Sequence, residues 1–184
     1  MQNSKQNKQL AIIGNGPARD LYGTFEGDIC VCNVPQIEID YDYISVIDRK
    51  CVDYYIAENI HLEKPIYTLE VMHNVFKKHG FKNSEPKFKE KLMNSAATAA
   101  YYFADHYDTI WLYGCDSLWS SEVKSYQDTL IPRPTRPSNL HLQWRKHWQR
   151  VWEKGNTFFI VHPEGVKPED YGENVCWYSI RKSD

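Results

Sequence analysis

Residues that could bind a nucleotide follow the first apolar segment of the sequence. Residues 10–13 form a short apolar run, and Gly14-Asn15-Gly16-Pro17 comes directly after it. Two glycines in such a turn let backbone N–H groups approach a phosphate or a ribose closely. The same four residues also suit an ordinary strand-to-helix turn, so both interpretations stay open. The dinucleotide-binding pattern is incomplete, because Arg19 stands where a third glycine or an alanine is expected.

Polar or small residues also follow the later apolar runs. The carboxyl ends of parallel strands meet at one edge of a sheet, and ligands bind beyond that edge. We therefore expect the residues at these strand ends to gather along one rim. Asp48 and Asp116 could instead cap the helices that follow them, and His162 could be a turn residue before Pro163. The candidates at the later strand ends are Asn33, Asp48, Gly114, Asp116 and His162.

Apolar runs alternate with helical patterns along the chain. This order predicts an α/β protein with a Rossmann-like, mostly parallel sheet and helices on both faces. One domain is expected over residues 10–184, after a flexible polar tail at residues 1–9. The predicted strands are residues 10–13, 29–32, 43–47, 65–68, 109–113, 157–161 and 175–180. The predicted helices are residues 52–60, 71–79, 95–106 and 140–152.

Composition narrows the classes of partner. The chain has 184 residues, 42% of them hydrophobic and 25% charged, with a net charge of −2. Duplex nucleic acid is not expected as a partner, because proteins that neutralise many phosphates are usually basic. No apolar run reaches membrane-spanning length, and residues 1–8 lack the apolar core of a signal peptide. A cytoplasmic protein with five reduced cysteines is therefore expected.

Several segments in this order resemble the bacterial sialyltransferases that use a CMP-sugar donor. Those enzymes have a Gly-Asn-Gly-Pro-Ser turn, a strand ending in Cys-Asn, and a later strand ending in Gly-Ile-Asp. The strand YISVIDRK is more similar to the related archaeal-type pterin diphosphokinases. The resemblance spans residues 10–165. Its segments are LAIIGNGPARDL, ICVCN, NSAATAAYYFADHYDTIWLYGCDSLW and TFFIVHPEG.

The resemblance implies a nucleotide-sugar-dependent glycosyltransferase that needs no metal ion or other cofactor. The donor, a CMP-sugar in the enzymes that the chain resembles, would contact Asn15, Gly16, Asn33 and Ser95, and Asp116 would lie near the sugar or the phosphates. The strand-end pattern adds Gly14, Pro17, Asp48, Gly114 and His162 to the expected nucleotide-binding residues.

The resemblance also implies a histidine base in the segment between the Gly-x-Asp strand and the final helix. His141 and His147 lie in that region, and His141 is the better candidate because it begins the last helix beside a proline-rich loop. A histidine titrates in the range that suits a general base. Three departures separate this chain from the family. Ala18 replaces a serine, Ala96-Ala97 replaces the glycine after Ser95, and much of the family's acceptor-binding insertion is shortened.

Residues 117–139 form the one long irregular segment, which we expect to act as a lid that is mobile until a ligand binds. Arg133 and Arg136 in this loop could close over a phosphate, or they could be solvated surface charges. Under the diphosphokinase alternative, Asp48 and Asp116 would instead hold Mg²⁺ with the phosphates of a substrate.

A third alternative is a non-catalytic protein that binds a nucleotide or a partner protein, as a phage lineage could retain. The predicted helix at residues 140–152 could provide a contact with a partner, because Trp144, Trp148 and Trp152 recur in it at helical spacing. Such a row is more typical of a core or of a contact in a homo-oligomer than of a platform for stacked bases.

Overall fold

Eight parallel strands form one sheet in residues 7–181, which are the residues that the computed structural model describes. The strands are β1 (Gln9–Ile13), β2 (Asp28–Cys32), β3 (Tyr43–Ser45), β4 (Ile66–Leu69), β5 (Ser84–Phe88), β6 (Thr109–Tyr113), β7 (Thr157–Pro163) and β8 (Val175–Ile180). Their order in the sheet is β5-β4-β3-β2-β1-β6-β7-β8. The predicted parallel α/β fold is confirmed. Residues 1–6 of the predicted tail lie outside the described residues, and Gln9 already belongs to β1.

Helices cover both faces of the sheet, as expected. They are α1 (Arg49–Ala57), α2 (Glu70–Lys78), α3 (Ser95–Phe103) and α4 (Leu140–Trp152), with short 3₁₀ helices at Pro17–Leu21, Asp116–Leu118 and Tyr126–Thr129. Successive residues of a strand point to opposite faces. In β1, Leu10 and Ile12 therefore pack with α3 and α4, whereas Ala11 and Ile13 pack with α1 and α2.

The order in which strands are added to the sheet reverses between β1 and β6, although all strands stay parallel. From β1 the chain builds β2 to β5 on one side, and it then returns to pair β6 with the other side of β1. Ile13 of β1 lies beside Tyr113 of β6, so the turns after these two strands are neighbours. The crevice at such a reversal is where open α/β sheets bind ligands.

The sequence pattern missed β5. Ser84-Glu85-Pro86-Lys87-Phe88 is mostly polar, and proline is unusual within a central strand. The segment is tolerated as a strand because β5 lies at the edge of the sheet, where one side of its backbone has no neighbouring strand. Only Ser84 and Phe88 of the strand are buried.

Polar side chains cap two of the helices. Asp48 caps α1, as one interpretation of its position predicted, because its Oδ1 accepts the N–H of Lys50 at 2.9 Å. Asn94 caps α3, and its Oδ1 accepts the N–H of Ala97 at 2.7 Å. Ser95 is therefore the first residue of the helix, and its hydroxyl is available for another contact.

The tryptophans of α4 belong mainly to the core. Trp148 and Trp152 are buried and stack on each other with ring centroids 5.0 Å apart, whereas Trp144 is half-buried. A contact between two copies of the chain through this helix would require accessible rings. The two buried rings are not accessible to a second copy. All five cysteines are free thiols, and the described residues contain no helix with the length and apolar character needed to cross a membrane.

Candidate functional site

A cavity of about 80 Å³ lies where the turns after β1, β2 and β6 meet the start of α3. It occupies the crevice between the turns after β1 and β6, where the order of the strands reverses. Seven of the residues predicted from the strand ends and from the resemblance line this first cavity. They are Gly14, Asn15, Gly16, Asn33, Ser95, Gly114 and Asp116.

The glycines let the turns after β1 and β6 touch through their backbones. The N–H of Gly16 donates to the carbonyl of Gly114 at 2.8 Å. A Cβ on Gly14 would lie 2.7 Å from that same carbonyl oxygen, and Gly114 has a φ of +65°, in the left-handed region. These glycines are thus required by the approach of two turns, and this requirement is independent of any ligand.

Asp116 connects the two turns and has an unusual pKa. Both of its carboxylate oxygens lie near the N–H of Ala18, at 3.0 and 3.2 Å. Ala18 lies in the 3₁₀ helix that Pro17 begins. Burial raises the pKa of Asp116 to about 6, although the hydrogen bond from Ala18 opposes this shift. A half-buried carboxyl that titrates near neutral pH, at the wall of a cavity, is a candidate proton acceptor.

Asn33 is held in an uncommon conformation by three neighbours. Its φ is 61°, its N–H donates to Ser45, and its carbonyl accepts the hydroxyl of Tyr55. The hydroxyl of Ser95 donates to Oδ1 of Asn33 at 2.7 Å. The amide nitrogen of the Asn33 side chain is therefore the group that this residue offers to a ligand in the first cavity.

Several hydrogen-bond donors at the wall of the first cavity have no acceptor. The N–H groups at the start of an α-helix have no acceptor within the helix, and Ser95 and Ala96 of α3 line the cavity. Nδ2 of Asn94 and Nε1 of Trp148 are buried, and neither has a hydrogen-bond partner among residues 7–181. A buried donor without an acceptor raises the free energy of the folded protein, so this wall is suited to a ligand rich in acceptor atoms. The sequence pattern singled out neither of these two roles.

The thiols in the first cavity are not nucleophiles at neutral pH. Cys32 and Cys115 line the cavity and are both buried. Burial raises the pKa of each thiol well above its ordinary value. Since the thiolate is the reactive form, covalent catalysis by these residues is not expected.

A second cavity of about 380 Å³ adjoins the first. The two cavities share Asn33, Asn94, Ser95, Ser125 and Trp144 as lining residues. The predicted residues Asp48, Arg133 and Arg136 line only the second cavity. The candidate residues thus line two adjoining cavities, whereas the sequence predicted that they gather along one rim of the sheet.

Both predicted phosphate-binding arginines are paired with carboxylates. Arg133 forms an ion pair with Asp48, and Arg136 binds Asp128 through two hydrogen bonds of 2.6 and 2.7 Å. Burial alone would raise the pKa of Asp48, but the hydrogen bonds from Arg133 and from the N–H of Lys50 lower it below its ordinary value. A phosphate would have to compete with these carboxylates for either arginine.

The two predicted histidines do not line either cavity. His141 lies in the first turn of α4, and its Nδ1 is buried with no partner in the described part of the chain. His162 is a residue of β7 that packs against Trp119 and Trp177, and its Nδ1 lies 2.9 Å from the carbonyl of Pro163. The structure therefore does not bring these side chains to Asp116 and Ser95.

The predicted lid, residues 117–139, is anchored over the first turn. Gln127 is 1% exposed; its Oε1 accepts the N–H of Val34 and its Nε2 donates to the carbonyl of the same residue, at 3.0 and 2.9 Å. The N–H of Tyr126 donates to the carbonyl of Asn15 at 2.8 Å. Nothing in the polar sequence around Gln127 distinguishes it as an anchor. The expected closure of this loop on a ligand stays a prediction.

Replacing this anchor will destabilise the protein. Gln127→Ala leaves the buried N–H and carbonyl of Val34 without partners, and each unsatisfied group costs about 1–3 kcal/mol. We expect the free energy of unfolding in urea to fall by about 2–3 kcal/mol. Gln149→Ala, at an exposed position of α4, is the matched control. Equal losses in the two variants would contradict the anchoring role.

Residues 7–181 contain no group of three or more His, Cys, Asp and Glu side chains that could hold a metal ion. Asp48, on which the Mg²⁺ alternative depends, is already bound by Arg133. The structure shows no assembled ligand set for that alternative among the described residues.

Comparison of the chain with protein-family models, with curated proteins and with solved structures gave no match.

Proposed function

We propose that this protein binds a nucleotide-sugar in the first cavity and transfers the sugar to a hydroxyl group of an acceptor. One observation carries the proposal. The start of α3 lines the cavity at the point where the strand order of a parallel sheet reverses, and Asn94 and Trp148, whose side chains each hold an unpaired donor among residues 7–181, line it too. Phosphates bind at helix starts because the N–H groups and the helix dipole both favour negative charge.

The same donors would serve the reaction. In this proposal they hold the phosphate next to Ser95 and Ala96 and stabilise the negative charge that grows on it as the sugar leaves. Asn33 offers its amide nitrogen to the nucleoside or the sugar. The sugar would point towards the second cavity, because Asn33, Ser95 and Trp144 line both spaces.

The proposed proton acceptor is Asp116. The acceptor oxygen forms a bond to the anomeric carbon, the bond from that carbon to the phosphate oxygen breaks, and its electron pair leaves with the nucleotide phosphate. The hydroxyl proton of the acceptor moves to Asp116, which lines the cavity and has a pKa of about 6. His141 was the base expected from the resemblance, but it does not line the cavity, so this proposal does not use it.

A thermal-shift screen tests the binding step. The ligands are CMP, CDP, UDP, GDP, ATP and their sugar conjugates, each with and without Mg²⁺. A ligand at 100 times its dissociation constant adds about 2.7 kcal/mol of stability, which in a domain of this size raises the midpoint by about 5 °C or more. We expect this shift with CMP or a CMP-sugar in the absence of metal.

The other outcomes of the screen have distinct meanings. A shift only with ATP and Mg²⁺ would favour the diphosphokinase alternative, and a shift with a different nucleotide would correct the base of the donor. No shift with any nucleotide would contradict the proposal and favour the partner-binding alternative.

A further inference from the structure

The second cavity carries positive charge that the protein itself does not neutralise. Four cationic side chains line it, but Arg133 and Arg136 are paired with Asp48 and Asp128. The other two, Lys50 and Lys91, are exposed and form no ion pair within residues 7–181. The only acidic side chain that lines this cavity in the described structure is Asp48. The cavity therefore attracts an anion.

The same cavity also offers apolar surface. Met93 is 41% exposed, which is unusual for a large apolar side chain, and it lines the cavity together with Leu140 and Trp144. A flexible thioether beside an indole ring suits the face of a sugar or another ring. A ligand with both an anionic group and a ring would use both kinds of surface.

The second cavity lies beside the first, where the proposed sugar transfer takes place. It shares Asn33, Ser95 and Trp144 with the first cavity, so a molecule bound there lies next to the ligand of the first cavity. In a transferase, the second substrate must lie beside the reacting end of the donor. The second cavity is the adjoining space that could hold it.

We infer that the second cavity binds the acceptor, and that the acceptor is an anionic molecule with a ring face, carrying a phosphate or a carboxylate. The term acceptor rests on the proposed function. The anion site itself rests only on the charges and apolar residues that line the cavity. Lys50 and Lys91 attract the anionic group, while Met93 and Trp144 contact the ring.

Benzyl phosphate is a simple probe of this site, and benzyl alcohol is its neutral counterpart. Calorimetric titration of the full chain measures both, together with CMP. We expect benzyl phosphate to bind and benzyl alcohol to bind at least about tenfold more weakly, because hydrogen bonds to charged groups are the stronger ones. Raising the salt concentration should weaken the binding of benzyl phosphate, since the lysines are exposed.

Variants assign the effect to the two lysines. In Lys50→Ala/Lys91→Ala, the dissociation constant of benzyl phosphate should rise about tenfold or more. The affinity for CMP should change less than about twofold, because neither lysine lines the first cavity. Lys50→Arg/Lys91→Arg should retain most of the binding. Lys82→Ala/Lys167→Ala removes two exposed lysines that do not line either cavity, and it should bind like the wild type.

The outcomes separate this inference from the proposed function. The inference is overturned if benzyl phosphate does not bind, if CMP displaces it, or if the alanine variant binds it like the wild type. Lysine-dependent binding of benzyl phosphate together with no binding of any nucleotide would refute the proposed function and leave an anion site in the second cavity. The lysines would have only a structural role if Lys50→Ala/Lys91→Ala alone changed the melting temperature and Lys50→Arg/Lys91→Arg did not restore binding. That result would also overturn the inference.

Discussion

Asp116→Asn is expected to abolish the proposed transfer while making the protein more stable at pH 7. A positioned general base contributes about 10²- to 10⁴-fold to a rate, and asparagine cannot take the proton. The wild-type rate should rise with pH through about 6, where the pKa of Asp116 lies, and this rise should be lost in the variant. Steady-state rates from pH 5 to pH 8 measure both effects.

The stability effect follows from the direction of the pKa shift. Burial raises the pKa of Asp116 from 3.8 to about 6, so the folded state holds the proton more tightly than the unfolded state does. Stability from this group is present below pH 3.8 and is lost as the pH rises to about 6. The difference between a pKa of 3.8 and one of about 6 corresponds to about 3 kcal/mol, and the partial exposure of Asp116 reduces this amount.

Asparagine removes the buried charge and keeps an oxygen for the N–H of Ala18. We therefore expect urea unfolding at pH 7 to show a gain in stability of about 1–3 kcal/mol, which should shrink as the pH falls below 6. Asp40→Asn, at a carboxylate that is 96% exposed, is the control and should change neither property. Wild-type turnover in Asp116→Asn together with lost turnover in His141→Ala would show that the base has been assigned to the wrong residue.

Gly16→Ala is expected to disrupt the first cavity. The backbone of Gly16, with φ −71° and ψ 160°, is one that alanine adopts freely, so only packing opposes the change. The added Cβ would lie 2.2 Å from Oδ1 of Asp116 and 2.7 Å from the carbonyl oxygen of Gly114. Neither neighbour can move without breaking the contact between the turns after β1 and β6. We expect a loss of stability of about 1–3 kcal/mol.

Nucleotide binding should also weaken in this variant. The turn that carries Gly16 lines the first cavity, and a displacement of it changes the shape of the ligand site. We expect the affinity for CMP to fall at least about tenfold, measured by calorimetry below the melting transition. Gly23→Ala is the matched control, because a Cβ there would meet no atom within 4 Å. Unchanged CMP affinity in Gly16→Ala would place the nucleotide elsewhere.

The strands and the positions of their ends could be predicted because buried parallel strands are short apolar runs. Residues 109–113 and 175–180 were predicted with the bounds that the structure has. Gly14, Asn33 and Asp116 were predicted to share one rim from their place after the strands, and they line one cavity. β5 could not be predicted in this way, because Pro86 and its charged neighbours suit only an edge strand.

The partners of individual side chains could not be predicted from the sequence. Arg133 and Arg136 have the residue type for binding phosphate, but tertiary contacts pair them with Asp48 and Asp128. His141 begins the predicted helix, but Trp144 and Trp148 of that helix line the first cavity and His141 does not. These outcomes depend on how elements pack, which local periodicity does not encode.

The most direct test of nucleotide binding in the first cavity is an NMR titration of the ¹⁵N-labelled protein with CMP. We expect the amide signals of Asn15, Gly16, Ser95 and Ala96 to shift in proportion to the fraction of protein that has bound CMP. Signals at the opposite edge of the sheet, near Tyr43 and Tyr107, should stay unchanged. Shifts confined to that opposite edge, or no shift at CMP concentrations up to several millimolar, would contradict nucleotide binding in the first cavity.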